Sequence, residues 1–161
     1  MTEQGGSEAF DAFYRAQWGR LAGTLRLMSG DSMTADEVAQ EALTRAWMHW
    51  SRVSRLDRPD GWLYVTAFRL MRRRIKRETS RPDPPTVARD GELDVTDRIA
   101  LQRALSALPI RQRQAVVARL VLGFDGPAAA ELLGVRPDNL RQLLSRALRD
   151  LRVSPELLEN T

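Results

Sequence analysis

Cysteine is absent from this 161-residue chain, which excludes a disulfide framework and any thiolate metal site. Histidine occurs once, as His49, and without a spaced partner or a second cluster of carboxylates it cannot make a metal centre alone. No apolar run approaches the roughly 18 residues of a membrane-spanning helix. Met1 to Ser7 has neither the charged start nor the apolar middle of a secretory leader, so a cytoplasmic protein with no membrane insertion is expected. Carboxylate clusters, nucleophile–base pairs and glycine-rich phosphate loops are missing as motifs too. An enzyme is therefore the weakest functional class, and no cofactor is expected.

What is present is ordinary in bulk and distinctive in charge. Hydrophobic residues make up 43% and charged residues 29%, as in a typical globular chain. The net charge is +4 with a pI near 10.5, and 24 of the 25 cations are arginine, Lys76 being the single lysine. A planar guanidinium is the better phosphate ligand. Residues 1–77 carry 13 basic and 9 acidic side chains, residues 78–97 carry 2 and 6, and residues 98–153 carry 10 and 4. Two basic lobes thus flank an acidic tether. The tether contains Pro82, Pro84, Pro85 and Gly91 and shows no sustained period, which predicts an extended linker. The expected fold is all-α, with small helical domains at 1–77 and 98–153, a linker at 78–97 and a short tail at 154–161.

In the first lobe, Phe10, Phe13, Tyr14, Trp18, Leu21, Leu25 and Met28 fall on one side of a helix over 8–28, a core stripe without evident chemistry. Gly30, Asp31 and Ser32 interrupt it. Thr34 followed by Glu37 reads as a capping box for a second helix running to about Trp50. That helix has Ala35, Val38, Ala39, Ala42, Leu43, Ala46 and Trp50 on its apolar side. Asp36, Glu37, Gln40, Glu41 and Thr44 on the other side form an acidic patch in a basic protein. Such a patch is either a solvated face, with Asp36 and Glu37 favouring the helix N-terminus, or a docking surface for a basic partner.

After a polar, turn-rich stretch at 51–61 that includes Arg55 and Arg58, Pro59 is placed to start a third helix containing WLYVTAFRLMRRRIKR (62–77). Leu63, Tyr64, Ala67, Phe68, Leu70, Met71 and Ile75 share one side. Trp62, Arg69, Arg73, Lys76 and Arg77 share the other, with Arg72 in the same basic run. A solvated basic face accounts for the arginines but not for a large aromatic among them. Unpaired bases stack on aromatics while arginines hold phosphates, so the combination suits single-stranded nucleic acid.

The second lobe predicts a helix from about Val95 to Leu108, another from Pro109 to about Leu122 ended by Gly123, and then helix, tight turn, helix. Asp125 can cap the first member of that hairpin, Pro127 sits near its start and Gly134 ends it. The second member runs from about Pro137 to Arg152 with Leu140, Leu143, Leu144, Ala147, Leu148 and Leu151 inward. Asp138, Asn139, Arg141, Gln142, Ser145, Arg146 and Arg149 remain for the outside. Arginine and glutamine can bond guanine and adenine edges bidentately, so this shape fits a DNA-reading helix-turn-helix, although plain helical hairpins with a glycine turn are common.

Three ordered blocks together resemble the extracytoplasmic-function sigma factors of the bacterial sigma-70 family. ADEVAQEALTRAW (35–47), with Asp36, Glu37, Gln40, Glu41 and Trp47, is similar to region 2.2. The segment that opens on Trp62-Leu63 and ends in basic residues is similar to regions 2.3 and 2.4. Leu108-Pro109, Gln112-Arg113, Gly134-Val135, Ser145-Arg146-Ala147 and Leu151-Arg152 are similar to region 4. The resemblance implies a dissociable subunit of RNA polymerase. Asp36, Glu37, Gln40, Glu41 and Thr44 would meet the core enzyme at its β′ clamp, with the β flap as a second contact. Arg55, Arg58, Trp62, Arg69, Arg72, Arg73, Lys76 and Arg77 would hold the minus-ten strand of promoter DNA, and Asp138, Asn139, Arg141, Gln142, Ser145, Arg146 and Arg149 would lie on the minus-thirty-five duplex. Relatives are commonly paired with an anti-sigma protein, a partner that no residue of this chain identifies.

The departures matter for specificity. Arg69 and Arg73 stand where relatives often have asparagine and aspartate. The recognition helix opens on Arg136-Pro137-Asp138-Asn139-Leu140-Arg141 without the usual serine, and Gly126-Pro127 replaces a typical aromatic and glutamate. A promoter sequence therefore does not transfer from relatives. A stand-alone helix-turn-helix regulator is the alternative, but it explains residues 109–152 only.

Overall fold

In a computed structural model, residues 3–78 and 95–151 are described, with side chains for 4–76 and 99–151. Of the linker expected at 78–97, Glu78 ends one helix and 95–97 begin another, while 79–94 lie outside the described residues, as do Arg152, Val153, the tail at 154–161 and the Arg77 side chain.

The first lobe is built on α1 (Glu3–Ser29), α2 (Ser32–Met48), α3 (Trp50–Val53) and α4 (Pro59–Glu78). Leu21, Leu25 and Met28 of α1 are fully buried, against Ala35, Ala39, Ala42, Leu43 and Ala46 of α2 and Leu63, Ala67, Phe68 and Met71 of α4. The small α2 residues let its backbone come close to both neighbours. The ring stripe of α1 continues to the surface, where Phe10 and Phe13 pack on Trp50 at centroid distances of 5.3 and 5.1 Å and Tyr14 stacks on Trp18 at 5.7 Å.

The start and end of α2 differ from expectation. Gly30 ends α1 in the left-handed conformation, φ 70°, and Asp31 then caps α2 through the amides of Met33 and Thr34. Thr34 is not the cap: it lies inside the helix, and its hydroxyl donates to Asp31 at 2.5 Å. An Asp placed one residue after the break satisfies the orphan amides earlier than Thr34 could. The helix stops at Met48 rather than Trp50, because His49 leaves helical geometry at φ −114°, ψ 22° before the single turn of α3. Pro59 does start α4, with Asp60 in the first turn, so part of the stretch expected as loop is helical.

The second lobe contains α5 (Val95–Ser106), α6 (Ile110–Val116), a π-helical turn at Val117–Val121, α7 (Gly126–Leu133) and α8 (Pro137–Leu151). Asp125 caps α7 through Ala128 at 2.9 Å, and Gly134 turns the chain at φ 65°. The predicted helix over Pro109–Leu122 is therefore widened at its end, where Leu122 N–H donates to Val117 O at 2.9 Å and Phe124 N–H to Ala118 O at 3.0 Å.

The two lobes share one continuous core. Gln114 of α6 is completely buried; its amide donates to the carbonyl of Phe68 at 3.2 Å, and its Oε1 accepts from Arg72 Nη1 at 3.2 Å. Arg113 donates to the carbonyl of Met28 at the end of α1 and to Leu108 O at 3.0 Å. Phe124 stands edge-on to Tyr64 at 6.5 Å and lies under the Arg58 guanidinium at 5.6 Å. Buried polar groups are seldom left unpaired, and the Gln114 amide and one Arg113 nitrogen find partners across the lobes, while Arg113 Nε and the Tyr64 hydroxyl, also buried, have none among the described residues.

Candidate nucleic-acid interface

The acidic face of α2 is exposed as expected, but its carboxylates are already engaged. Asp36 pairs with Arg26 at 3.0 Å, Glu41 with Arg45 at 2.8 Å, and Glu37 with Arg74 of α4. All three pairs are exposed enough to be weak and exchangeable. Gln40 accepts from the Tyr14 hydroxyl at 3.0 Å, and Thr44 donates to the Gln40 carbonyl at 2.8 Å. Together with Trp18 these side chains line an open recess of about 550 Å³. Trp47, 48% exposed, and Met48, 70% exposed, continue the α2 surface at its C-terminal end. Arg74 was not legible as a member of this face, since a run of three arginines does not say which one reaches across to α2.

The basic set divides into three. Arg69 and Arg73 are exposed and, among the described residues, have no ion pair, and Trp62 is partly buried beside them. Trp62 lines a recess of about 280 Å³ together with Arg69, Arg73, Arg45, His49 and Arg52, the last three unanticipated from sequence. Arg55 and Lys76 are exposed. Arg58 is bonded to Asp60 at 3.2 Å. Burial opposes the Asp60 carboxylate, yet bonds from Arg58 and the Gly61 amide outweigh it and hold its pKa below the ordinary value. Arg72 is the exception, half-buried in the seam against Gln114. Desolvation, with Arg111, Arg69 and Arg73 nearby, lowers its pKa to about 10, so it remains cationic at neutral pH.

A second recess, of about 660 Å³, lies between the lobes, with Trp62, Val65 and Arg69 on one wall and Phe124, Glu131 and Leu132 on the other. The basic helix and α7, which share the core, thus also share this recess.

On α8 the expected division holds. Leu140, Ala147 and Leu151 are buried, Leu143, Leu144 and Leu148 are half-buried, and Asp138, Asn139, Arg141, Gln142, Ser145, Arg146 and Arg149 are exposed. The last five of these line one open groove. Arg141 is held by Asp138 at 2.6 Å. No metal-capable group of histidine and carboxylate residues occurs among the described residues.

Comparison with known proteins agrees with this geometry. The family described as Sigma-70 region 2 matches residues 13–81, and Sigma-70, region 4 matches residues 98–151. The chain is 30% identical over 143 residues to the ECF RNA polymerase sigma factor SigM of Mycobacterium tuberculosis, spanning 86% of this chain and 73% of that one. It is 27% identical over 137 residues to SigL of the same organism, spanning 79% and 77%. Its fold is similar to that of the sigma factor RpoE crystallised with the anti-sigma factor NepR from Bartonella quintana, with a TM-score of 0.73 at 23% identity over 95% of this chain and 98% of that one. CnrH in complex with the cytosolic domain of CnrY gives 0.66 at 21% identity over 96% and 91%.

Two helical lobes, one carrying an acidic and a basic helix and the other a helix-turn-helix, define a sigma-type transcription subunit. The chain belongs to the sigma-70 family, in its extracytoplasmic-function group. It is a subunit that directs RNA polymerase to promoters, and the family's role is regulatory rather than enzymatic.

Proposed function

We propose a division of this work among named faces. Asp36, Glu37, Gln40, Glu41 and Thr44, extended by Trp47 and Met48, form the surface that docks on the β′ clamp of core polymerase. Arg55, Arg58, Trp62, Arg69, Arg73 and Lys76 take the unpaired minus-ten strand, Arg72 and Arg77 joining them once promoter binding frees the first from the seam. The α8 face from Asp138 to Arg149 lies on the minus-thirty-five duplex, and the second lobe also meets the β flap. The observation that carries this reading is the pairing of an exposed acidic helix with an exposed basic, tryptophan-bearing helix in one lobe. A stand-alone helix-turn-helix regulator would need neither.

The place of action is the cytoplasm, where polymerase works; among the described residues no helix is long and apolar enough to cross a membrane. An anti-sigma partner fits as well, since RpoE, similar in fold, was co-crystallised with the anti-sigma factor NepR, and CnrH, also similar in fold, is in complex with the cytosolic domain of CnrY. Reversing two charges, Glu37→Arg with Glu41→Arg, tests the docking face: affinity for purified core polymerase should fall, while binding of duplex DNA by the free chain should not. Unchanged core affinity would remove the acidic face from the account.

A further inference from the structure

The acidic face of α2 carries its own counter-charges. Glu37 and Glu41 stand one turn apart with Asp36 beside them, so the three carboxylates would repel one another if left alone. Each instead meets one guanidinium of the same chain. Arg26 reaches Asp36 from α1 at 3.0 Å, Arg74 reaches Glu37 from α4, and Arg45 reaches Glu41 from one turn further along α2 at 2.8 Å. Among the described residues, two ion pairs join separate helices, and both end on this face. The remaining pairs, Arg58 with Asp60 and Arg141 with Asp138, join near neighbours in sequence. The exposed carboxylates of Glu8, Asp11, Glu131 and Asp150 have no ion pair among the described residues.

The pairing leaves the face close to neutral in the free chain, although its own residues are acidic. The carboxylates keep 43%, 48% and 51% of their side-chain surface in Asp36, Glu37 and Glu41, and their arginines are partly exposed as well. Ion pairs in such contact with water are weak and exchange readily. The three carboxylates also line the open recess beside Trp18, so an incoming side chain can reach them without a rearrangement of the helices. A cation that enters there competes with the arginine already in place.

We propose that Arg26, Arg45 and Arg74 are built-in competitors that regulate docking: a basic partner binds this face by displacing them, and they hold its affinity below what the carboxylates alone would give. The inference rests on the reading of this face as the surface that meets core polymerase, and it adds the residues that set the strength of that contact. Arg74 has a second consequence. It comes from α4, next to Arg73, so its displacement from Glu37 returns a cation to the basic helix.

The test measures the affinity of the full chain for purified core polymerase in a double-mutant cycle on Glu37 and Arg74. Arg74→Gln should tighten binding about 1.5- to 5-fold, the range of one exposed ion pair, and Glu37→Gln should weaken it. With Glu37 already replaced, Arg74→Gln should bring no further gain. Arg74 also acts electrostatically on the Asp31 cap, so the same cycle on Glu41 and Arg45 supplies a second reading that leaves the start of α2 untouched. A gain that vanishes with its carboxylate in either pair supports the competition. Binding unchanged or weakened in both Arg74→Gln and Arg45→Gln, while Glu37→Gln still weakens it, would overturn the competition and leave the docking face intact. Gains of equal size with and without the carboxylates would also overturn it, because net charge and not the ion pair would then be the cause. If Glu37→Gln and Glu41→Gln both bound core polymerase as the wild type does, the docking reading itself would fall, and the competition with it.

Discussion

Asp31 shows how one side chain sets a boundary and a pH dependence together. The Thr34 hydroxyl is the largest influence on its carboxylate; that bond and those from the Thr34 and Met33 amides outweigh partial burial, so its pKa lies below the ordinary value. A depressed carboxylate contributes stability at pH above its unfolded value, about 3.9, and loses it as pH falls through the lower folded value. Asp31→Ala should therefore lower unfolding free energy by about 1 kcal/mol near neutrality, and urea titrations should show the deficit shrinking in acid. A deficit independent of pH would mean that the charge is irrelevant to the cap. At the other end of the chain, Arg141 is exposed and held only by Asp138. Arg141→Ala should change preference at a single base position by about 1–3 kcal/mol if the contact is bidentate, as measured by binding to a set of single-substituted duplexes. Equal weakening on every duplex would make Arg141 a phosphate contact.

Elements were legible where periodicity and punctuation agreed. The α7–α8 hairpin followed from Asp125, Pro127 and Gly134, and the structure reproduces all three roles. Gly134 holds φ 65°, so Gly134→Ala should cost about 1 kcal/mol, visible as a lower midpoint in thermal unfolding; no change would mean that the turn relaxes. The apolar and basic sides of α4 were also readable, because Leu63, Ala67 and Met71 repeat at helical spacing. The π-helical turn was not, since Val116, Val117 and Ala118 are apolar in succession and carry no periodic signal that distinguishes a widened turn from an α-helical one. Nor was the arginine groove beside Trp62: Arg45 looks like a helix pair for Glu41, His49 like a solitary ring and Arg52 like a loop cation. Only their packing beside α4 assembles them. For α4 itself, Trp62→Ala should impair strand opening, followed by permanganate reactivity of unpaired thymines, more than it impairs duplex binding. Equal losses would reduce Trp62 to packing.

At the scale of the whole molecule, the acidic tether suggested two lobes but gave no sign that they would share a seam. Gln114, Arg113 and Arg72 have the composition of surface residues, and their burial depends on a partner surface more than 40 positions away in the chain for the Gln114–Phe68 and Gln114–Arg72 bonds. Tertiary pairing of that kind has no local signature. It does have a measurable one: all four tryptophans, Trp18, Trp47, Trp50 and Trp62, lie in the first lobe, so their fluorescence follows that lobe while far-ultraviolet circular dichroism follows both. The two thermal transitions should coincide in the wild type and separate in Gln114→Ala, which leaves Arg72 without its partner; separate transitions in the wild type would contradict a shared core. The seam also brings α7 beside α4, where Trp62 and Arg69 share a recess with Glu131 and Leu132. Whether these surfaces serve promoter-directed initiation is read out by transcription from a promoter library by purified core polymerase with and without this chain. Transcripts should start at a defined subset of promoters only when the chain is added, and should be lost in Glu37→Arg with Glu41→Arg. Initiation no different from that of core polymerase alone would contradict this role.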